Sequence, residues 1–195
     1  MGSFLCTLKR TKSKNNIFEL MKSNNKKRKL ESIKISEFNK FNLDGVISEC
    51  KVLDVYDGDT ITVGFLINNT PLSQRLRLRW INTEEIKQSK NKPENIKIEL
   101  IQRALIAKYR LVELLTGVYP SPNNSCKDII KNNKKTFYVK FYKNDSFGRS
   151  ISELYLDKDL KQCINLIMIN ENHSELFLKY ETDKNKIENI RNKLL

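Results

Sequence analysis

The sequence of 195 residues is poor in histidine and cysteine, and no apolar run approaches the ~20 residues that cross a bilayer. We therefore expect no transmembrane segment. The four cysteines, Cys6, Cys50, Cys126 and Cys163, include no Cys-x-x-Cys pair, and His173 is the only histidine. Their number and spacing exclude a Cys/His zinc site. Because the scattered thiols follow no secretory signal, we expect an intracellular protein, cytoplasmic or nuclear.

Acidic residues are also scarce: 23 Asp and Glu stand against 36 Lys and Arg, which gives a formal net charge of +13. Such a charge favours phosphate-rich partners or anionic membranes, although a bias toward lysine in the composition is an equally simple explanation. Residues 1–44 hold eleven basic and four acidic residues, a net charge of +7. We therefore expect 1–44 to be a basic, mostly flexible N-terminal arm and 45–195 to be a folded domain.

The first six residues, Met-Gly-Ser-Phe-Leu-Cys, are similar to the start of an N-myristoylated protein. Gly2 stands at the acceptor position, and Cys6 replaces the usual Ser or Thr and is itself a candidate for palmitoylation. One acyl chain anchors a protein stably only with a second signal, which a second chain or the basic arm supplies. The sequence thus predicts lipidation at Gly2 and Cys6, with peripheral membrane contact through the N-terminus. The alternative is a solvated tail.

Periodicity in the remaining chain predicts an α+β fold. Alternating apolar and polar residues predict five strands, at 46–56, 60–66, 74–81, 136–142 and 150–156. Helical spacing predicts three helices, at 94–116, 159–169 and 183–195, with a loop over 119–135. Pro93 and Gly117 flank the first helix, as is typical of helix ends. Three strands, a helix and two further strands match a five-stranded Greek-key barrel of the OB-fold type.

Carboxylates and arginines gather near the ends of the predicted strands. Asp57 and Asp59 lie in the first turn, Arg77 on the polar face of the third strand, Glu85 just after it, and Arg149 in the loop before the fifth strand. Oxygen ligands hold Ca²⁺ or Mg²⁺, a carboxylate activates water, and guanidinium groups stabilise charge on a phosphoryl group. The residue types alone leave open a plainer interpretation, in which these are solvated charges at strand ends.

Three blocks resemble motifs of the staphylococcal nuclease (thermonuclease) family. They are the Asp-Gly-Asp-Thr turn within 55–61, the Arg-Leu-Arg-Trp-Ile-Asn-Thr-Glu-Glu strand end at 77–85, and the Asp-Ser-Phe-Gly-Arg loop at 145–149. They occur in the family's order over about residues 46–180, with a helix between the second and third. The resemblance implies a five-stranded OB-fold barrel and Ca²⁺-dependent hydrolysis of phosphodiester bonds in DNA and RNA.

The resemblance also implies roles for individual residues. Asp59, Asn82 and the backbone carbonyl of Thr83 would hold the metal, which is Ca²⁺ in the family, with Mg²⁺ or Mn²⁺ as alternatives. Glu85 would orient or deprotonate the attacking water. Arg77 and Arg149 would bind the phosphate and stabilise its transition state.

Two departures from the family pattern weaken this interpretation. Asn82 stands where the family has Asp, which removes one negative charge from the metal site, and Glu84 stands where it has Pro. The alternative is therefore a catalytically weakened or inactive OB-fold module that binds nucleic acid or protein. In either case Arg75, Arg79 and Tyr180 are candidate nucleic-acid contacts, and a monomer is favoured.

Overall fold

The computed structural model describes residues 34, 42–181, 183–192 and 194. Gly2 and Cys6 lie outside the described residues. The strands are β1 (Ile47–Asp57), β2 (Thr60–Ile67), β3 (Thr70–Leu78), β4 (Trp80–Asn82), β5 (Phe137–Asn144), β6 (Ser150–Tyr155) and β7 (Glu175–Phe177). The helices are α1 (Glu94–Thr116), α2 (Cys126–Asn132), α3 (Ile164–Asn170) and α4 (Lys184–Asn192).

Five of the strands close into a barrel in the order β1-β2-β3-β6-β5. All neighbours are antiparallel except β3 and β6, which run parallel. This order and this single parallel pair are those of an OB-type barrel, so the predicted α+β barrel with helices is confirmed. Helix α1 occupies the range predicted for it, and Gly117 ends it in the left-handed conformation while donating its N–H to the Glu113 carbonyl.

The third predicted strand, 74–81, is divided in two. The residue between β3 and β4 is Arg79, and Trp80, the first residue of β4, adopts a positive φ of 69°, a conformation that L-residues with large side chains rarely take. Strand β4 leaves the barrel and pairs with β7, with Asn82 opposite Glu175. The sequence pattern does not predict β7, because three residues are too few to show alternation.

Helix α2 lies inside the predicted loop 119–135, so that prediction is wrong for these seven residues. Ser125 caps the helix by accepting the N–H of Asp128, and Ile129 and Ile130 are buried beneath it. Helix α3 begins at Ile164, five residues later than predicted, and α4 lies within the predicted range 183–195. No described helix is both long and apolar enough to span a membrane.

The core lies in the barrel and under α1. The inner face of α1 is formed by four buried residues, Ala104, Ala107, Leu111 and Leu115. The last three belong to the same hydrophobic core as the barrel strands. Cys50 and Cys163 are both buried. Burial, assisted by the charge of Glu49, raises the pKa of the Cys50 thiol to about 12, so this thiol is protonated at neutral pH.

A buried polar cluster fastens the C-terminal part of the chain to the barrel. The guanidinium group of Arg79 pairs with Glu153 and with Glu181, and it stacks 4.0 Å from the ring centre of Tyr142. Tyr142 and Tyr155 both donate hydrogen bonds to the Glu153 carboxylate. Because both carboxylate partners of Arg79 are themselves buried, this arrangement does not present Arg79 to a nucleic acid.

Candidate active site

The turn between β1 and β2 brings two carboxylates together at one end of the barrel. The side chain of Asp57 accepts the N–H of Asp59 at 3.3 Å, and both residues are buried. Gly58 permits this packing, because a Cβ on it would stand 2.7 Å from Cγ2 of Thr83 and 2.8 Å from Cβ of Ala107. The turn therefore presses directly against α1 and the segment after β4.

Asp59 is the hub of the site. Its Oδ1 accepts the Thr60 hydroxyl at 3.0 Å, and its Oδ2 accepts the Thr83 N–H at 3.0 Å. Nη1 of Arg77 lies 2.6 Å from the same Oδ2, in a charge contact rather than an aligned hydrogen bond. Since the carboxylate is only 4% exposed, these contacts compensate its loss of hydration.

Arg77 joins Asp59 to Asn82. Strand β3 ends at Leu78, and Arg77 directs its second terminal nitrogen, Nη2, to the side-chain oxygen of Asn82 at 3.0 Å. Arg77 itself is 6% exposed, whereas Asn82 is exposed at the end of β4. The carboxylate and the amide oxygen thus converge on one positive group, as oxygens of a cation site do.

The 145–149 loop presents Arg149 to the same centre. Asp145 organises the loop: its Oδ1 accepts the N–H groups of Phe147 and Arg149, and its Oδ2 accepts Nε of Arg149 at 2.8 Å. Nη1 of Arg149 then donates to the Thr60 hydroxyl at 3.2 Å. Gln74 of β3 donates to the Gly148 carbonyl at 3.1 Å and ties the loop to the barrel.

Thr60 is the residue that connects the two halves. It is fully buried, its hydroxyl donates to Asp59, and the same oxygen accepts from Arg149. The structure therefore places Asp59, Arg77, Asn82, Thr83 and Arg149 in one connected cluster. Among the predicted site residues these five are brought together.

Glu85 lies at the edge of this cluster. It is exposed, and it is close enough to Asp57 for its charge to act on that carboxyl. Burial, the charge of Asp59 and, more weakly, the charge of Glu85 raise the pKa of Asp57 to about 7. Glu84, the residue before Glu85, is half-buried.

Aromatic side chains border the arginines. Phe177 of β7 lies 5.8 Å from the Arg77 guanidinium, and Tyr180 packs edge-on against Phe177 with 5.9 Å between ring centres. Phe147 is 81% exposed, with the Arg149 guanidinium 5.5 Å from its ring centre. Tyr180, a predicted nucleic-acid contact, therefore packs against Phe177, which in turn lies beside Arg77.

Arg75 lies apart from this cluster. It is exposed, and its guanidinium group stacks 4.6 Å from the ring centre of Tyr56. A nucleic-acid contact for Arg75 stays a prediction.

Thr60, Asp145 and Phe177 have no role in the sequence-based prediction. The four-residue spacing of Asp145 and Arg149 across a Gly-containing loop is a signal that could have identified this pair. Thr60 stands beside Asp59 in the Asp-Gly-Asp-Thr turn, but its contact with Arg149, like that of Phe177 with Arg77, joins distant parts of the chain and has no local signal.

The cluster is not a set of acidic ligands for a cation. Within the described residues no three His, Cys, Asp or Glu side chains are grouped around one point. The candidate donors are instead one carboxylate, one amide oxygen and one backbone carbonyl, at Asp59, Asn82 and Thr83, and oxygens of all three kinds bind Ca²⁺. The buried Thr83 hydroxyl also has no hydrogen-bond partner in the described part of the chain, which leaves a polar atom available at this point.

No protein-family model matches this sequence, and no curated protein matches it either.

Proposed function

We propose that this chain is a metal-dependent nuclease, with Ca²⁺ as the first candidate metal, that hydrolyses phosphodiester bonds of DNA or RNA. The observation that carries the proposal is the connected cluster. Two guanidinium groups, those of Arg77 and Arg149, are linked to one buried carboxylate, Asp59, directly or through Thr60. A scissile phosphate needs positive charge of this kind as its own negative charge increases in the transition state.

The residues divide the chemistry between them. Arg77 and Arg149 would bind the non-bridging oxygens of the phosphate, since planar guanidinium groups match them with two hydrogen bonds each. Glu85 is exposed beside the cluster and would accept the proton of the attacking water. Asp59, Asn82 and the carbonyl of Thr83 would hold the cation, which when bound supplies further positive charge to the phosphate.

A second function is favoured by one specific contact. Arg77 contacts both Asp59 and Asn82, so the oxygens offered to a cation are already satisfied by a guanidinium group. A protein that only bound nucleic acid would be stable in this arrangement without metal. The two functions differ in whether the backbone is cut, and this can be measured directly.

The deciding experiment is cleavage of plasmid and single-stranded DNA or RNA with Ca²⁺, Mg²⁺, Mn²⁺ or EDTA, alongside binding measured in EDTA. We expect metal-dependent cleavage that Glu85→Gln and Arg149→Ala each reduce by about 100-fold or more. Arg103→Ala is the matched control, because Arg103 is exposed on α1 and pairs with Glu99 at the surface. If nucleic acid is bound but not cleaved with any of the metals, the nuclease proposal is wrong and the nucleic-acid-binding function is favoured.

The N-terminal arm would add a separate tether. We propose that Gly2 and Cys6 are acylated and hold the protein at a membrane facing the cytoplasm or nucleus. An intact mass of the protein isolated from its own cells tests this, because each acyl chain adds a defined mass. Unmodified Gly2 and Cys6 would contradict it.

A further inference from the structure

We propose that the outer side of α1, together with α2 and the segment between them, is a surface that docks on anionic lipid membranes. The proposal concerns the folded domain and is independent of the arm and of the nuclease chemistry. It rests on two observations: an uncovered apolar stripe on α1 and the distribution of charge along the domain.

Within the described residues helix α1 carries apolar side chains on two sides, and only the inner side is covered. This inner face is buried against the barrel. On the opposite side Ile98, Ile106 and Tyr109 follow at spacings of eight and three residues, which places them on one outer face, with the exposed Gln102 between the two isoleucines. Ile98 is 52% and Ile106 49% exposed. Single exposed isoleucines are ordinary on a protein surface, so what adjoins them decides whether they mark an interaction site.

The stripe continues past the end of the helix. Tyr119 packs edge-on against Tyr109, with 5.9 Å between ring centres, and both Val118 and Tyr119 are exposed. The ammonium group of Lys135 lies beside Gly117, 3.3 Å from the place where a Cβ would stand. Apolar and basic groups therefore adjoin each other at this end of α1.

The basic charge of the domain is concentrated in the same segment. Residues 87–136 hold eleven Lys and Arg against four Asp and Glu, a net charge of +7. The rest of the domain, residues 45–86 and 137–195, holds 14 basic and 15 acidic residues, a net charge of −1. Exposed lysines stand before α1 and on or just after α2: Lys87, Lys90, Lys92, Lys127, Lys131, Lys134 and Lys135.

This combination favours lipid over the other polyanions. A nucleic acid would use the lysines but gains little from exposed isoleucines, because its contacts are phosphates and aromatic stacking. A bilayer with anionic headgroups uses both, since lysines are attracted to the surface charge and Ile side chains enter the acyl boundary. An interfacial tyrosine such as Tyr119 suits the same position.

Sedimentation of the full chain with phosphatidylcholine vesicles, with and without phosphatidylserine, tests the proposal. We expect binding that requires phosphatidylserine and falls about ten-fold in Ile98→Ser/Ile106→Ser and at least as much in Lys131→Glu/Lys134→Glu. Leu53→Ser/Leu66→Ser is the matched control, because these leucines are 49% and 59% exposed on β1 and β2. All variants keep residues 1–44, so the contribution of this arm to vesicle binding is the same in each.

A second readout locates the contact. Ile106→Trp should be quenched by brominated lipid more strongly than the parent, whose only tryptophan is Trp80, whereas Leu66→Trp should not. Equal quenching at 106 and 66, or unchanged vesicle binding in the isoleucine variant, would overturn the proposal. The proposal would also be overturned if the lysine variant lost DNA binding but kept vesicle binding. It would equally be overturned if the parent sedimented as a dimer and the isoleucine variant alone were a monomer.

Discussion

Nη2 of Arg77 donates a hydrogen bond to the side-chain oxygen of Asn82 at 3.0 Å, while Nη1 of the same guanidinium lies 2.6 Å from Asp59. One positive group therefore occupies the two side-chain oxygens that would serve a metal. Asn82 contributes no negative charge, so of these two side chains Asp59 alone would attract both Arg77 and a divalent cation by its charge.

Asn82→Asp should strengthen cation binding. The added carboxylate attracts both the guanidinium group and Ca²⁺, but the divalent ion gains more because it carries twice the charge. We expect the Ca²⁺ concentration for half-maximal cleavage to fall roughly ten-fold, and Ca²⁺ affinity measured by calorimetry to rise in parallel. Asn82→Ala should weaken both. Identical calcium titrations for the parent and the two variants would remove position 82 from the site.

Thr60→Val should uncouple the two halves of the cluster. Valine preserves the buried volume but removes the hydroxyl that donates to Asp59 and accepts from Arg149. We expect a loss of about 1–2 kcal/mol in unfolding free energy and about a ten-fold loss of cleavage. Thr62→Val is the control on the same strand, since Thr62 is half-buried and lies opposite Arg75, which is apart from this cluster. Equal effects of the two substitutions would argue against a bridging role for Thr60.

The barrel and α1 could be predicted because their signals are local. Strands β1 and β2 alternate in the sequence, and Pro93 and Gly117 mark the ends of a helix whose inner stripe repeats every three to four residues. The three sequence blocks at 55–61, 77–85 and 145–149 also predicted that Asp59, Arg77 and Arg149 lie close together, since each block lies at the end of a barrel strand. These features need no knowledge of distant contacts.

The burial and partners of the arginines at and after the end of β3 could not be predicted in the same way. Alternation places Arg75, Arg77 and Arg79 on one face but does not say what covers that face. Arg79 is paired with Glu181, which comes from the far end of the chain, and β4, which begins at the left-handed Trp80, pairs with β7. Both depend on contacts about 100 residues apart, which a periodic pattern does not encode.

Gly58→Ala should strain the turn that carries Asp59. The new methyl group would stand 2.7 Å from Cγ2 of Thr83 and 2.8 Å from Cβ of Ala107, closer than real Cβ contacts. We expect a loss of about 1–3 kcal/mol in unfolding free energy, with reduced cleavage. The double variant Gly58→Ala/Thr83→Ser should recover part of the stability, because serine lacks Cγ2.

Gly64→Ala provides the comparison for this substitution. Its nearest neighbour, Cδ1 of Leu53, would be 3.2 Å away at the end of a flexible and exposed side chain, so the cost should be smaller. Chemical denaturation of the three variants and the parent measures all these differences. If Gly64→Ala proves the more destabilising, close packing of Gly58 is not what limits the turn.

The buried cluster around Glu153 should delay the ionisation of two tyrosines. Burial and then the negative charge of Glu153 raise the pKa of Tyr142 and of Tyr155 above the ordinary value for tyrosine. Because the folded state favours the neutral phenols, their contribution to stability is complete below about pH 10, the ordinary tyrosine pKa, and is lost as the pH rises further. Absorbance at alkaline pH should therefore show some of the seven tyrosines ionising only when the chain unfolds. Tyr142→Phe and Tyr155→Phe should each remove one tyrosine from that late group.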